Sequence, residues 1–318
     1  MAPCVERRID VSGAEPVQVA VCICTYKRPL VLAGLLARIS DIAREVSDRV
    51  RTTMIIVDDD PEQSAHDVAR SHDHRFPGGL VYDSTGAGDL AVARNRALDL
   101  GIEHGQLLIL IDDDCLPDDG WIRAFVDVQE RYGADCVAGA CDTLWPAETP
   151  AWLRDEPFMD VKVDLPDGSV VAAGYTKNVL LSAAYLRRSG LRFDGKFGQI
   201  GGEDAMFFYA LADASVDVRF AARAVVHEVI PPGRTTLRYQ LRRRFWYGNS
   251  EAVTSIASGR ATRFRMAGSG MKRVAVGVTW PMRQRHVDGS TQWRFAIAEV
   301  LRGLGCVLGA TGMTLSHR

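Results

Sequence analysis

Leu107-Leu108-Ile109-Leu110-Ile111-Asp112-Asp113-Asp114 is five apolar residues running straight into three aspartates. A short, continuous apolar run bounded by charge is the pattern of a strand buried on both faces, the usual state of a parallel strand between helix layers. Such a strand delivers its last residues to a rigid sheet edge. Hard divalent ions take oxygen ligands and bind through one or two carboxylates plus substrate phosphates. Asp112 and Asp114 share a direction if extended geometry persists, leaving Asp113 pointing away. The plain alternative is a solvated acidic loop, which the buried strand before it disfavours.

Upstream, strands and helices alternate. Val17–Thr25 is a second nearly continuous apolar run. Pro29 stands where a helix can begin, and Leu32, Leu35, Leu36, Ile39 and Ile42 recur at helical spacing. Met54-Ile55-Ile56-Val57 leads into Asp58-Asp59-Asp60-Pro61, a helix is expected from Glu62 to about Ser71, and Leu80-Val81-Tyr82 reads as a short strand. Gly86-Ala87-Gly88 is expected to open a helix through Ala93, Ala97, Leu98 and Ile102, and Trp121, Ile122, Phe125, Val126 and Tyr132 mark another. This alternation predicts an α/β fold with a mostly parallel sheet flanked by helices, in which ligands bind beyond the carboxyl ends of the strands. Thr25-Tyr26, Asp58-Asp59 and Asp112-Asp113-Asp114 all fall at that edge.

Past Cys141 the pattern weakens, and Trp145, Pro146, Pro150, Trp152, Pro157 and Pro166 suggest an irregular, substrate-facing segment up to Ala173. Regularity returns over Asn178–Leu186, breaks at Gly195–Gly202, and resumes as a short helix from Glu203 to Ala212 and a strand from Arg223 to His227. Gly201-Gly202-Glu203-Asp204 brings two carboxylates to a helix start, where one can act as a general base toward a hydroxyl. Capping that helix is the structural alternative. His227 ends a strand beside these features and is a candidate third metal ligand, although a lone His is more often structural.

Composition narrows the class. The chain has 318 residues, 47% hydrophobic and 25% charged, as in ordinary globular proteins. It contains no apolar run of membrane-spanning length and no signal-peptide core, which predicts a cytoplasmic protein. Seven scattered cysteines fit reduced thiols. The net charge of −2 hides an asymmetry: from residue 231 onward there are fifteen Lys/Arg against three Asp/Glu. That basic tail suits phosphate groups, an anionic membrane surface or simply a solvated helical face better than nucleic acid, which the acidic remainder repels. Gln240-Leu-Arg242-Arg243-Arg244-Phe245-Trp246 combines bases and aromatics on one expected helix, with Arg234, Arg238 and Arg242 every four residues.

Taken in order, these residues resemble glycosyltransferase family 2, which has the GT-A fold, over about residues 17 to 250. Bacterial exopolysaccharide and succinoglycan-type transferases are similar in flavour. The resemblance implies that Thr25, Tyr26 and Arg28 form a nucleotide-contacting turn, that Asp58 binds the nucleobase, and that Arg94 of Ala93-Arg94-Asn95 lies beside the nucleotide. It implies Asp112 toward the ribose and diphosphate, Asp113 in a supporting role on that donor side, and Asp114, with Asp112 and His227, on Mn²⁺ or Mg²⁺. Glu203-Asp204 then supplies the catalytic carboxylates, Asp204 as base, and Arg243 or Arg244 shares the diphosphate charge. The implied reaction is an inverting, metal-dependent hexosyl transfer from a nucleoside-diphosphate sugar, UDP-sugar favoured, to a glycan, lipid-linked or small-molecule acceptor. Gln240-x-x-Arg243 is followed by Arg244 rather than Trp, and no membrane-spanning helix flanks the domain, so single addition is expected. The implied organisation is a tail (1–16), a catalytic domain (17–235, nucleotide half 17–115 and acceptor half 116–235) and a basic helical region (236–318). That last region is the expected site of peripheral contact with the inner face of the cytoplasmic membrane. Two alternatives stand beside this reading: an NAD(P)-dependent oxidoreductase built on Gly86-x-Gly88-x-x-Ala91, and a non-catalytic nucleotide-sugar-binding protein.

Overall fold

A computed structural model describes residues 15–154, 165–283 and 289–315. Strands β1 (Val17–Thr25), β2 (Val50–Asp58), β3 (Leu80–Ser84) and β4 (Leu107–Asp112) form a parallel block in the order β3-β2-β1-β4. Their register decides where the site forms. Thr25 is level with Asp58, and Cys24 with Asp112, so the polar ends of three strands share one edge.

Alternation along β1 divides the core between two faces. Val19, Val21 and Ile23 pack with Leu32, Leu35, Leu36 and Ile39 of helix α1 (Pro29–Glu45) and with Trp121 and Phe125 of α4 (Trp121–Tyr132). Ala20 and Cys22 face the other way, toward Ala97 and Leu98 of α3 (Leu90–His104). Gly101 lets α3 lie close on the sheet, because a Cβ there would meet the Leu108 side chain at 2.5 Å.

Two helix starts differ from expectation for one reason: aspartates claim the backbone donors. After β2, Asp58 accepts from the amides of Asp60 and Ala65, and Asp60 from that of Glu62, so the chain turns and α2 begins only at His66 (His66–His72). Gly86 and Gly88 have φ of 56° and 61° and belong to a turn, while Asp89 caps α3 by accepting from Ala91 and Val92. A carboxylate at that helix start repels a pyrophosphate, which removes the physical basis of the dinucleotide reading.

The sheet then becomes mixed. Among the described residues, β5 (Cys115–Pro117), β6 (Cys136–Leu144), β7 (Val170–Val171), β8 (Asn178–Ser182) and β9 (Val218–Val229) extend it to nine strands, with β8 antiparallel to both β4 and β6. Because β8 runs backward, its first residues, not its last, lie at the site edge. Buried Asn178 holds this half together. It accepts from Trp121 Nε1 at 2.9 Å and donates to the carbonyls of Ala140 and Ala224 at 2.7 Å, across a register shift between Gly139 and Ala140. The segment expected to be irregular contains the end of β6, the short helix α5 (Ala151–Arg154) and β7; Pro157 lies outside the described residues.

Helices α6 (Ala183–Ser189) and α7 (Glu203–Asp213) cover the sheet beside α3, and α8 (Leu237–Ala257), α9 (Arg263–Arg283) and α10 (Gly289–Ala310) follow. Glycines bring the last three to backbone contact. A Cβ on Gly248 of α8 would meet the Arg302 carbonyl oxygen of α10 at 1.9 Å, and one on Gly270 of α9 the Gly303 carbonyl oxygen at 2.6 Å. Among the described residues, no helix is long and apolar enough to cross a membrane.

Candidate active site

A cleft of about 460 Å³ opens at the carboxyl ends of β1 and β4. Its floor carries Asp112, Asp113 and Asp114, and its walls include Tyr26, Arg28 and Glu203. β4 ends at Asp112 and the chain turns at Asp113–Asp114 before entering β5, so strand alternation does not govern the triplet as expected. Asp113 instead anchors the wall: it accepts from the Thr25 hydroxyl at 2.8 Å and from Arg28 Nη1 at 2.9 Å. The same Nη1 reaches Asp114 Oδ2 at 3.0 Å.

Arg94 joins the sequence motifs into one object. It is nearly buried and donates from Nη1 to Glu203 Oε1 at 2.8 Å and to Asp204 Oδ1, and from Nη2 to Asp112 Oδ1 at 3.3 Å. Residues separated by as many as 110 positions are thus tied to a single guanidinium. Asp204 Oδ1 also accepts from the Thr176 hydroxyl, just before β8. Glu203 and Asp204 reach this position because Gly202, at φ 98°, turns the chain into α7.

The cations at hand do not offset this density of carboxylate. Burial pushes Asp112, Asp113, Asp114 and Glu203 above the usual carboxylate range, against the opposing pull of Arg94 or Arg28. Asp114 raises Asp112, and Asp113 and Glu228 raise Asp114. Among the described residues, no group of three or more His, Cys, Asp or Glu is arranged to hold a metal by itself. Asp112 and Asp114 nevertheless fit a divalent ion that takes its remaining ligands from phosphates and water, since both are hard oxygen donors in a region short of positive charge.

Four expected residues fall elsewhere. His227 does not join the aspartates: its Nε2 lies 3.0 Å from Asp118 Oδ1, and Glu228, the next residue on β9, is the one opposite Cys115 and close to Asp114. Asp58 is fully buried; its carboxylate accepts from Asp60 N, Ala65 N and Tyr82 Oη, so it shapes the turn, and Asp59 lines the cleft in its place. Arg244 is buried in α8 and lines neither described cavity, whereas Arg243 stacks on Tyr247 at 4.8 Å and faces the second one.

That second cavity, about 750 Å³, lies between the ends of β6 and β9 and the start of α8. Trp145, Tyr175, Tyr239, Trp246 and Tyr247 give it aromatic walls. Lys177 and Arg243 add positive charge, and Glu228 and Arg234 border both cavities. Arg234 Nη1 lies 3.9 Å from both Asp114 and Glu228. Lys177 Nζ meets Glu228 at 2.5 Å. Burial raises the Glu228 carboxyl, but Lys177, Arg243 and Arg234 outweigh it and hold the group below its ordinary value.

Thr176, Lys177 and Glu228 carry no role in the sequence reading, and Arg234 is expected there on one helix with Arg238 and Arg242. A charge directly before the apolar run of β8 was a legible sign for Lys177, the mirror of Asp112 after β4. Arg234 is not on that helix, because α8 begins only at Leu237 and a 3₁₀ turn (Pro232–Thr235) carries Arg234 to the site. Replacing Lys177 with Met strands Glu228 as a largely buried carboxylate. The expected loss is about 2 kcal/mol of unfolding free energy, discounted for partial exposure. Urea titration at neutral pH measures it, and an unchanged midpoint would show the pair to be neutral.

Comparison with known proteins agrees with this geometry. The chain is 29% identical over 305 residues to succinoglycan biosynthesis protein ExoM of Rhizobium meliloti (strain 1021), covering 94% of each. In fold it is similar to mannosyltransferase PcManGT from Pyrobaculum calidifontis, solved in complex with GDP-Man and Mn²⁺. That likeness has a TM-score of 0.55 at 14% identity and covers 92% of this chain and 88% of that one. It is similar also to S. aureus TarS 1-349 in complex with UDP, with a TM-score of 0.52 at 12% identity, covering 91% and 89%. Residues 20–189 match the family described as glycosyl transferase family 2. With more than half of its length matched, and with Asp112, Glu203 and Asp204 gathered around Arg94, the chain belongs to glycosyltransferase family 2.

Proposed function

We propose that this protein transfers a single sugar, with inversion, from a nucleoside-diphosphate sugar in the smaller cleft to an acceptor hydroxyl presented from the aromatic cavity. The observation that carries the reading is the position of Asp204. It accepts from Arg94, which lines the donor cleft, and from Thr176, whose neighbours Tyr175 and Lys177 line the aromatic cavity. A base for the acceptor must stand at that junction.

In the proposed step, Asp204 takes the acceptor proton as the acceptor oxygen bonds to the anomeric carbon. The bond from that carbon to the diphosphate oxygen breaks, and its electron pair leaves with the nucleoside diphosphate. Attack and departure on opposite faces invert the centre. Asp112 and Asp114 would hold Mn²⁺ or Mg²⁺, which when bound supplies positive charge beside the leaving diphosphate. Arg28 and Arg234 flank Asp114 and share that electrostatic task. Tyr26 and Asp59 line the cleft where the nucleoside would lie, with UDP-sugars favoured. Aromatic walls suit a carbohydrate acceptor, whose apolar ring faces stack on them.

The test is a screen of nucleotide sugars for metal-dependent hydrolysis and transfer. Turnover of a UDP-sugar with Mn²⁺ or Mg²⁺ is expected, and binding without any turnover would leave only a sugar-nucleotide-binding role. Asp114→Ala should weaken metal-dependent UDP binding at least about 10-fold, because a direct oxygen ligand and its charge are lost. Calorimetry showing unchanged affinity would remove Asp114 from the site.

A further inference from the structure

Helix α9 is amphipathic in an unusual sense: it carries a second apolar face, turned away from the protein. Its inner face meets α10 through Gly270 and Gly277, which approach the carbonyls of Gly303 and Ala296. On the opposite side, Phe264, Met271, Val278 and Met282 are 91%, 58%, 65% and 71% exposed. Spacings of seven, seven and four align these four residues in one stripe along the helix. Single exposed apolar side chains are commonplace, but an ordered row is the mark of a contact surface.

The charges beside the row identify what it contacts. At 100° per residue, Arg265 and Lys272 fall together on one flank of the stripe, and both are exposed. Residues 263–283 include five Lys/Arg and no Asp or Glu. Arg273 turns inward to Glu251 and Glu299, and Arg263 donates to the Thr311 carbonyl. A second copy of the chain seated on the same stripe would bring two such flanks together with no acidic residue on either α9 to answer them. From this geometry we infer that the outer face of α9 docks on an anionic phospholipid surface. The helix lies in the plane of the interface, with Phe264, Met271, Val278 and Met282 in the acyl boundary and Arg265 and Lys272 among the headgroups.

The orientation also has a consequence for the acceptor. The Val278–Met282 end of α9 adjoins the start of α10, where Trp293 and Ile297 are exposed. There, Arg294 stacks on Trp152 of α5 at 5.0 Å, and α5 contributes Arg154 to the aromatic cavity. Docking through α9 therefore brings the neighbourhood of that cavity toward the bilayer, which suits an acceptor carried on a lipid. The acceptor part rests on the proposed transfer, and the docking itself does not.

Sedimentation of the full chain with vesicles tests the docking without any turnover. Phosphatidylglycerol vesicles should carry the protein down at low salt, with at least about 10-fold weaker binding to phosphatidylcholine and release at high salt. The triple variant Phe264→Ser, Met271→Ser, Val278→Ser should lose about 100-fold in partitioning. Its thermal midpoint and donor hydrolysis should match wild type. Replacing the same three residues with Leu should keep wild-type binding. Arg265→Glu with Lys272→Glu should weaken binding to the anionic vesicles at least about 10-fold. Wild-type protein that stays in the supernatant, or a serine variant that sediments like wild type, overturns the inference. So does a stripe-dependent dimer in sedimentation velocity without vesicle binding, which would assign the face to a second copy.

Discussion

Asp204→Asn is expected to lower the transfer rate by about 10²–10⁴-fold, the usual contribution of a positioned general base, with donor affinity nearly unchanged. Asn keeps the size of the side chain and an oxygen that can accept from Arg94 and Thr176, so the constellation survives while proton acceptance does not. Glu203 is the natural comparison, since both carboxylates share Arg94. The Glu203 side chain is 10% exposed and that of Asp204 34%, so the second is the more open to an incoming hydroxyl. Glu203→Gln should accordingly affect donor affinity more than the rate of the bound complex. Single-turnover kinetics alongside calorimetry separates the two effects, and wild-type turnover in Asp204→Asn would rule out Asp204 as the base.

Arg94→Met should be the most damaging substitution for the scaffold. It removes the shared counter-charge of Asp112, Glu203 and Asp204 and is expected to cost about 3–5 kcal/mol, the range for stranding buried charge. The pH dependence supplies a signature. Burial already raises Asp112 and Glu203 above their ordinary values, with Arg94 opposing the rise, so its loss moves both further up. An acid whose folded pKa lies above its unfolded one destabilises the folded state once ionised. The penalty is therefore full above the folded pKa and fades as pH falls through it toward the unfolded value. Denaturant titrations of wild type and variant should thus converge as pH falls from neutral toward the ordinary carboxylate range. A gap that stays constant or widens on acidification would show that Arg94 acts by packing alone. Arg94→Lys should recover only part of the loss, because an ammonium cannot serve three carboxylates as a planar fork does.

How much of this was visible in the chain depends on distance. Val17–Thr25, Pro29–Ile42 and Leu107–Asp112 were legible because period and composition act locally and the structure keeps them as β1, α1 and β4. The starts of α2 and α3 were misjudged where Asp58, Asp60 and Asp89 divert backbone donors, a competition that hydrophobic periodicity does not register. β6 was overlooked because Cys136–Leu144 is rich in small residues.

The candidate site divides in the same way. Asp112, Asp114, Glu203 and Asp204 stood out from sequence because strand and helix ends adjoin them, and their order along the chain already resembled one family. Their meeting at Arg94, the burial of Asp58, the turn of His227 to Asp118 and the arrival of Lys177 and Arg234 depend on strand order. β8 runs antiparallel between β4 and β6 and presents its first residues at the edge, and no local pattern encodes that direction. The apolar stripe of α9 had the same ambiguity, since a 3.6-residue period marks a face without saying whether it is covered. The sequence by itself determined the elements, the acidic motifs and the excess of base in the last quarter, because these follow from neighbours in the chain. The tertiary structure alone decided which carboxylates share a cation, which aspartate is sealed away and which face of α9 meets solvent, because burial and charge pairing act between residues as many as 110 positions apart.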